Sequence, residues 1–182
     1  MNAGSERYVA LFRGINVGRA KRVAMADLRT MFEDLGFSDV RTVLNSGNVV
    51  CTLASISDQD IASVIETELE RRAGFFARVT VLSASDLAGI VEQNPLVDVA
   101  NNPSRHLVAV FKDAADLGLL NPLKKRDWGG PDLLALGPQA AYLWCPSGVL
   151  ASPIPDAIGR LVGDRVTTRN WATILKLHGM IQ

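Results

Sequence analysis

Cysteine and histidine are scarce in this 182-residue chain, with two of each, far apart. That excludes a disulfide scaffold and leaves no Cys/His set at metal-ligand spacing, so neither a metal nor another cofactor is expected. A surplus of either charge is also missing. Lys plus Arg number 19 and Asp plus Glu number 19, so the formal net charge is zero. A generally basic nucleic-acid coat and a polybasic membrane clamp are thereby excluded, while a local basic patch is not. No run approaches the ~18 apolar residues of a membrane span. The start, MNAGSERYVALFRG, has no basic head followed by a long apolar stretch, so no secretory leader is expected. Cys51 and Cys145 sit in the apolar runs NVVCT and AYLWC. Both read as buried free thiols, which fits a reducing cytoplasm.

What is present is an ordinary globular balance, 48% apolar and 21% charged, long enough to bury a core without staples. Tyr8–Arg13 reads as a strand, and the Gly- and Asn-rich loop GINVGRAKRV follows. Met25, Leu28, Met31, Phe32 and Leu35 recur at helical spacing, with Gly36 as the stop. Val40–Leu44 and Asn48–Thr52 flank Ser46-Gly47, a tight hairpin signal. Ile61, Val64, Ile65 and Leu69 mark a second helix, with Ser57 and Asp60 as a capping pair. Ala77–Leu82 is a fourth strand, and a short helix through Leu87, Ile90 and Val91 leads to Asn94-Pro95. The order is β-α-β-β-α-β plus one helix, the ferredoxin-like unit.

Asn94–Arg105 reads as a linker, after which the order recurs. His106–Lys112 is a strand, Ala114–Leu120 a short helix, and Leu133–Leu136 with Ala141–Cys145 a hairpin. Ser152–Val162 is a helix opened by prolines, Arg165–Thr168 a short strand, and Trp171–Ile181 a final helix. The expected architecture is therefore α+β: two ferredoxin-like subdomains packed together, each followed by an extra helix. Residues 1–93 and 106–182 form the two subdomains, joined by the 94–105 linker. Runs such as VALF, NVV, LVAVF and AYLW are apolar at consecutive positions, so both faces of each sheet are expected to be covered.

In this topology the end of the first strand lies beside the start of the third. Arg13, Gly14, Asn16 and Gly18 are thus expected next to Ser46, Gly47 and Asn48, at an edge the following helix also points towards. Two glycine-bearing turns and a helix N-terminus there would offer backbone N–H groups to an anion. GINVG is neither a Walker A loop nor a dinucleotide fingerprint, and the glycines and asparagines also serve as plain turn formers. A second constellation is TTRNWATILKL. Asn170 or Thr168 is a fit N-cap. Trp171, Ile174, Leu175 and His178 make an apolar stripe, and Thr173 and Lys176 share another face. Arg169 at a helix N-terminus opposes the helix dipole unless an anion lies between them.

YVALFRGINVG, MADLRTMFEDLGFSDVRTVLNSGNVV and TTRNWATILKL together resemble the domain-of-unknown-function 1697 family of bacterial proteins. The resemblance implies two ferredoxin-like subdomains and supplies no chemistry. It covers Arg13, Gly14, Asn16, Gly18, Ser46, Gly47, Asn48, Asn94, Pro95, Arg169, Asn170, Trp171, Thr173 and Lys176. Departures are Asn45 where Gln is usual, Leu96 where Phe is usual, and Ser83 where Arg is frequent.

The reading these residues favour is a module for a small anionic or nucleotide-like ligand. Arg13, Arg169 and Lys176 would neutralise charge, Asn16 and Asn48 would orient the ligand, and Trp171 would stack on a ring. An enzyme of hydrolase or transferase class using the same site is the alternative. No paired acid and base supports it: Ser46 has no neighbouring His, His106 and His178 sit in apolar contexts, and neither Cys has a partner. Nucleic-acid binding ranks below both, since the third strand carries no aromatic to stack bases and Lys124-Lys125-Arg126 with Trp128 reads as a solvated turn. No membrane partner is expected, and no heptad or other signal specifies an oligomer. Charge is nevertheless uneven. Arg13, Arg19, Lys21 and Arg22 occupy residues 13–26 with no acid, and Arg165, Arg169 and Lys176 occupy residues 165–182 with none.

Overall fold

The computed structural model describes residues 5–54 and 60–182. Among the described residues eight strands and five α-helices follow in order: β1 (Glu6–Phe12), α1 (Met25–Asp34), β2 (Ser38–Val43), β3 (Asn48–Leu53), α2 (Ile61–Ala73), β4 (Val79–Ser83), α3 (Ala84–Glu92), β5 (His106–Phe111), β6 (Leu133–Leu136), β7 (Ala140–Trp144), α4 (Ile154–Val162), β8 (Val166–Asn170) and α5 (Trp171–Ile181). The strands form two antiparallel four-stranded sheets, ordered β2-β3-β1-β4 and β6-β7-β5-β8. Each is the ferredoxin-like order, with the first strand of its set between the third and fourth. The chain divides into two compact units. One runs to Ser85 and takes in Gly179–Gln182, and the other spans Asp86–His178.

Local chemistry explains the element ends. In the first unit, Leu28, Met31 and Phe32 put the apolar face of α1 into the core, and Gly36 follows at φ +90°. The carboxylate of Asp60 accepts the N–H groups of Ala62 and Ser63 and caps α2, worth about 1 kcal/mol. Ser57, its expected companion, lies outside the described residues. Gly74 closes the same helix in the left-handed region at φ +73°. On the surface of α2, Glu68 meets Arg71 and Arg72, and those two guanidinium groups hold its carboxyl down at about 2.

Alternate positions of β1 (Tyr8, Ala10, Phe12) join Val49, Cys51 and the two helices in one core cluster. Residues 8–12 are nevertheless all buried, as are all six residues of β5, as the unbroken apolar runs require. In the second unit one face of the sheet packs on α4 and on a 3-10 helix at Ala114–Leu123. The opposite face meets α3, where Tyr142 donates to the Ile90 carbonyl at 2.7 Å, and α5, where Trp171 stacks on His106. Both cysteines are buried free thiols, and burial pushes Cys51 up to about 12. Among the described residues no helix is long and apolar enough to cross a membrane.

Candidate functional site

Three loops meet at one end of the first sheet. Because β1 runs antiparallel to both neighbours, its C-terminal end lies beside the β2–β3 turn and the start of β4. Phe12 donates its N–H to Gly47 O at 2.8 Å, and Arg13 donates its own to Arg78 O at 2.9 Å. The Arg13–Gly18 stretch and the Ser46–Asn48 turn are therefore neighbours, and they are neighbours through backbone bonds.

Their side chains are largely engaged with the protein itself. Asn16, at φ +56°, accepts the Val23 N–H at 2.9 Å and donates to Val23 O at 2.9 Å and Asn45 O at 3.0 Å. One carboxamide thus folds the loop back on itself and ties it to the neighbouring turn. We expect Asn16→Ala to lower stability by about 1–2 kcal/mol in urea unfolding, since these bonds go and alanine fits positive φ poorly. Asn48 is buried and donates to Val43 O at 2.7 Å and Ser46 Oγ at 3.1 Å. Gly14 and Gly18 take positive φ with open space around them, whereas Gly47 is packed against Ile15 and Phe12.

The space at this end opens beside residues the motif reading passes over. A cavity of about 380 Å³ is lined by Asn16, Arg22, Val23, Ala24, Met25 and Asn45. Arg22, Val23 and Ala24 also line a second cavity of about 450 Å³, walled by Leu28, Met31 and Leu69, with Asp27, Thr30 and Arg72 among its polar lining. Ala24 is the N-cap residue of α1 and offers no side-chain hydrogen bond, so the first-turn amides of that helix lack the usual cap. The signal that would have pointed here is an alanine at an N-cap position within an acid-free, cation-bearing stretch.

The second constellation differs from its sequence reading. The strand runs two residues further than expected: Arg169 and Asn170 belong to β8, with Arg169 opposite Val108 of β5, and α5 begins directly after them at Trp171 as expected. Pairing with β5 overrides the local polarity of Thr-Arg-Asn. Arg169 is largely desolvated, which draws its guanidinium down to about 10, and it donates to Thr168 O at 2.9 Å. Asn170 caps α5 by accepting the Thr173 N–H at 2.9 Å, and the Ala172 N–H goes to Pro103 O at 3.3 Å. Trp171 is buried with its ring on His106, 5.1 Å between centroids and 22° between planes, so that ring is committed to the core. Thr173 is buried and Leu175 exposed, the reverse of their expected faces, and Lys176 is exposed. The helix turns its Trp171, Ile174, Leu177 and Ile181 side inward, and Thr173 goes with it.

His106 is fully buried, and burial pushes its imidazole down to about 4. Arg126 stacks over the Trp128 ring at 4.8 Å, a self-contained pairing within its loop. Among the described residues no group of three or more His, Cys, Asp or Glu side chains is placed to hold a metal ion.

The family described as "Protein of unknown function (DUF1697)" matches residues 5–142, which includes both turns of the first unit and stops short of TTRNW. The solved structure of the conserved bacterial protein SP0830 from Streptococcus pneumoniae matches at 22% identity and a TM-score of 0.72. That match covers 98% of this chain and 100% of the other, and what it shows is the shared fold. A comparison with curated proteins finds no match.

Proposed function

Starting from a chain that belongs to the DUF1697 family and from the geometry of its first unit, we propose that it binds a small anionic or nucleotide-like ligand at the Arg13–Gly18 loop. The observation that carries this reading is the cavity lined by Asn16, Arg22, Val23, Ala24, Met25 and Asn45. It lies at a helix start that no side chain caps. It also lies within residues 13–26, which hold four cations and no acid. An anion there meets the Arg22 guanidinium and the positive end of α1. Arg13 and the Ser46–Asn48 turn act as the frame that sets the loop. Arg169, Asn170, Trp171, Thr173 and Lys176 belong to the second unit, where the buried Trp171 and the Asn170 cap favour a structural role over ligand contact.

The cavity lining has two carboxamides and one guanidinium, with no carboxylate, thiol or imidazole. That chemistry favours binding over turnover, because acid–base catalysis needs a titratable group at the bound ligand. The buried thiols favour a reducing, cytoplasmic setting. Thermal melts with inorganic phosphate, ribose 5-phosphate and a nucleoside monophosphate test the reading. At a hundredfold excess over Kd we expect the best of these to raise Tm by about 5–10 °C. Arg22→Ala is expected to remove the shift while leaving the ligand-free Tm in place. The absence of a shift with all three ligands would overturn the reading.

A further inference from the structure

Beyond the small-ligand reading, and without depending on it, we propose that the loop end of the first sheet is a docking surface for an anionic lipid membrane. Residues 13–24, 44–47 and 74–78 carry Arg13, Arg19, Lys21, Arg22 and Arg78 and no acid. Arg78 lies 3.9 Å from the Glu66 carboxylate and over the Phe76 ring, so the surface charge rests mainly on the exposed Arg19, Lys21 and Arg22. Hydrogen bonds join the loops into one end: Asn16 to Asn45 O, Lys21 Nζ to Phe76 O at 2.9 Å, and Arg13 N–H to Arg78 O.

Large apolar side chains project among these cations. Val17 is 70% exposed, Leu44 53% and Phe76 38%, one from each loop. Leu44 also stands at φ +59°, where a leucine is sterically disfavoured and an asparagine is comfortable. An exposed leucine in a strained conformation gains nothing for the folded chain in water. It gains when an apolar phase receives it.

The chemistry of the tips selects the partner. Single-stranded nucleic acid is held by aromatic platforms, and here the one exposed aromatic of the three loops, Phe76, already has Arg78 over its ring. Val17 and Leu44 are aliphatic and stack on nothing. Aliphatic tips ringed by Lys and Arg suit an interface in which acyl chains accept the tips and lipid phosphates pair with the cations. A fluid surface also requires no shape match from three separate loop tips.

Co-flotation of the full chain with vesicles tests the proposal. We expect retention on vesicles of equal parts phosphatidylglycerol and phosphatidylcholine, release by high salt, and no retention on phosphatidylcholine alone. Val17→Asn and Leu44→Asn are each expected to reduce retention by about fivefold, as withdrawal of part of an aliphatic contact requires. Tm should be unchanged in Val17→Asn and unchanged or higher in Leu44→Asn. The proposal is overturned by no retention on anionic vesicles at low salt, or by retention that both substitutions leave intact. Stronger, substitution-insensitive binding to single-stranded RNA would overturn it in favour of a nucleic-acid surface.

Discussion

Lowering the pH from 7 to 5 is expected to remove about 2 kcal/mol of folding stability through His106 alone. The imidazole is buried between β5 and the start of α5, and burial lowers it from its ordinary 6.5 to about 4. Asn94 uses its Oδ1 for the Leu96 N–H at 2.9 Å, so its Nδ2 faces His106 Nε2 as the donor, at 3.5 Å. Nε2 must then be the unprotonated acceptor. Among the described residues Nδ1 has no hydrogen-bond partner. A proton on Nε2 would set donor against donor and leave a buried charge without a counter-ion. The folded chain therefore holds His106 neutral, whereas the unfolded chain takes up a proton below about pH 6.5. The stabilisation is fully present above that pH and is lost as the pH falls towards 4. Urea unfolding between pH 7 and 4.5 should show this slope, and His106→Gln, whose side chain can still accept from Asn94, should flatten it. A variant that keeps the slope would assign the acid sensitivity elsewhere. Glu68 is a surface carboxyl that its arginines hold at about 2, so its contribution is lost only in more acidic solution.

Gly47→Ala is expected to cost about 3 kcal/mol, combining core overpacking with positive-φ strain. A Cβ at this position would stand 2.5 Å from Ile15 Cδ1, 2.7 Å from Ile15 Cγ1 and 2.8 Å from Phe12 Cβ. Ile15 and Phe12 are both completely buried, so neither can swing away into solvent. The backbone at Gly47 has φ +78°, a region alanine avoids. Its carbonyl also accepts the Phe12 N–H, so relief of the clash would loosen the junction between the two turns. Gly14→Ala offers the contrast: the same backbone region at φ +68° but open space for a Cβ, hence a loss of only about 1–2 kcal/mol. Denaturant midpoints of the two variants separate packing from backbone strain. Equal losses would show that packing against Ile15 adds nothing.

The fold was largely legible because its signals are local. Continuous apolar runs marked the strands, and Asp60 and Gly36 stood where helices begin and end. The ferredoxin-like order then brought Arg13–Gly18 beside Ser46–Asn48 without any knowledge of side chains. The site was less legible, for two physical reasons. A polar side chain in a glycine-rich loop reads the same whether it waits for a ligand or ties the backbone, and Asn16 does the latter. Polar residues can also ride inward on an element whose neighbours demand burial, as Thr173 does beside Ile174 and as Arg169 does on β8. The cavity residues Val23 and Ala24 belong to no motif quoted above. What singles them out is the uncapped end of α1 and its cation-rich, acid-free approach.

The central claim is that an anion is held at the start of α1, and backbone amide NMR tests it most directly. Titration with inorganic phosphate and with a nucleoside monophosphate should shift the amides of Asn16, Arg22, Val23, Ala24, Met25 and Asn45 in a saturable way. The same residues should stay still in Arg22→Ala. Saturable shifts confined to Arg169–Lys176, or none anywhere in the first unit, would contradict the account.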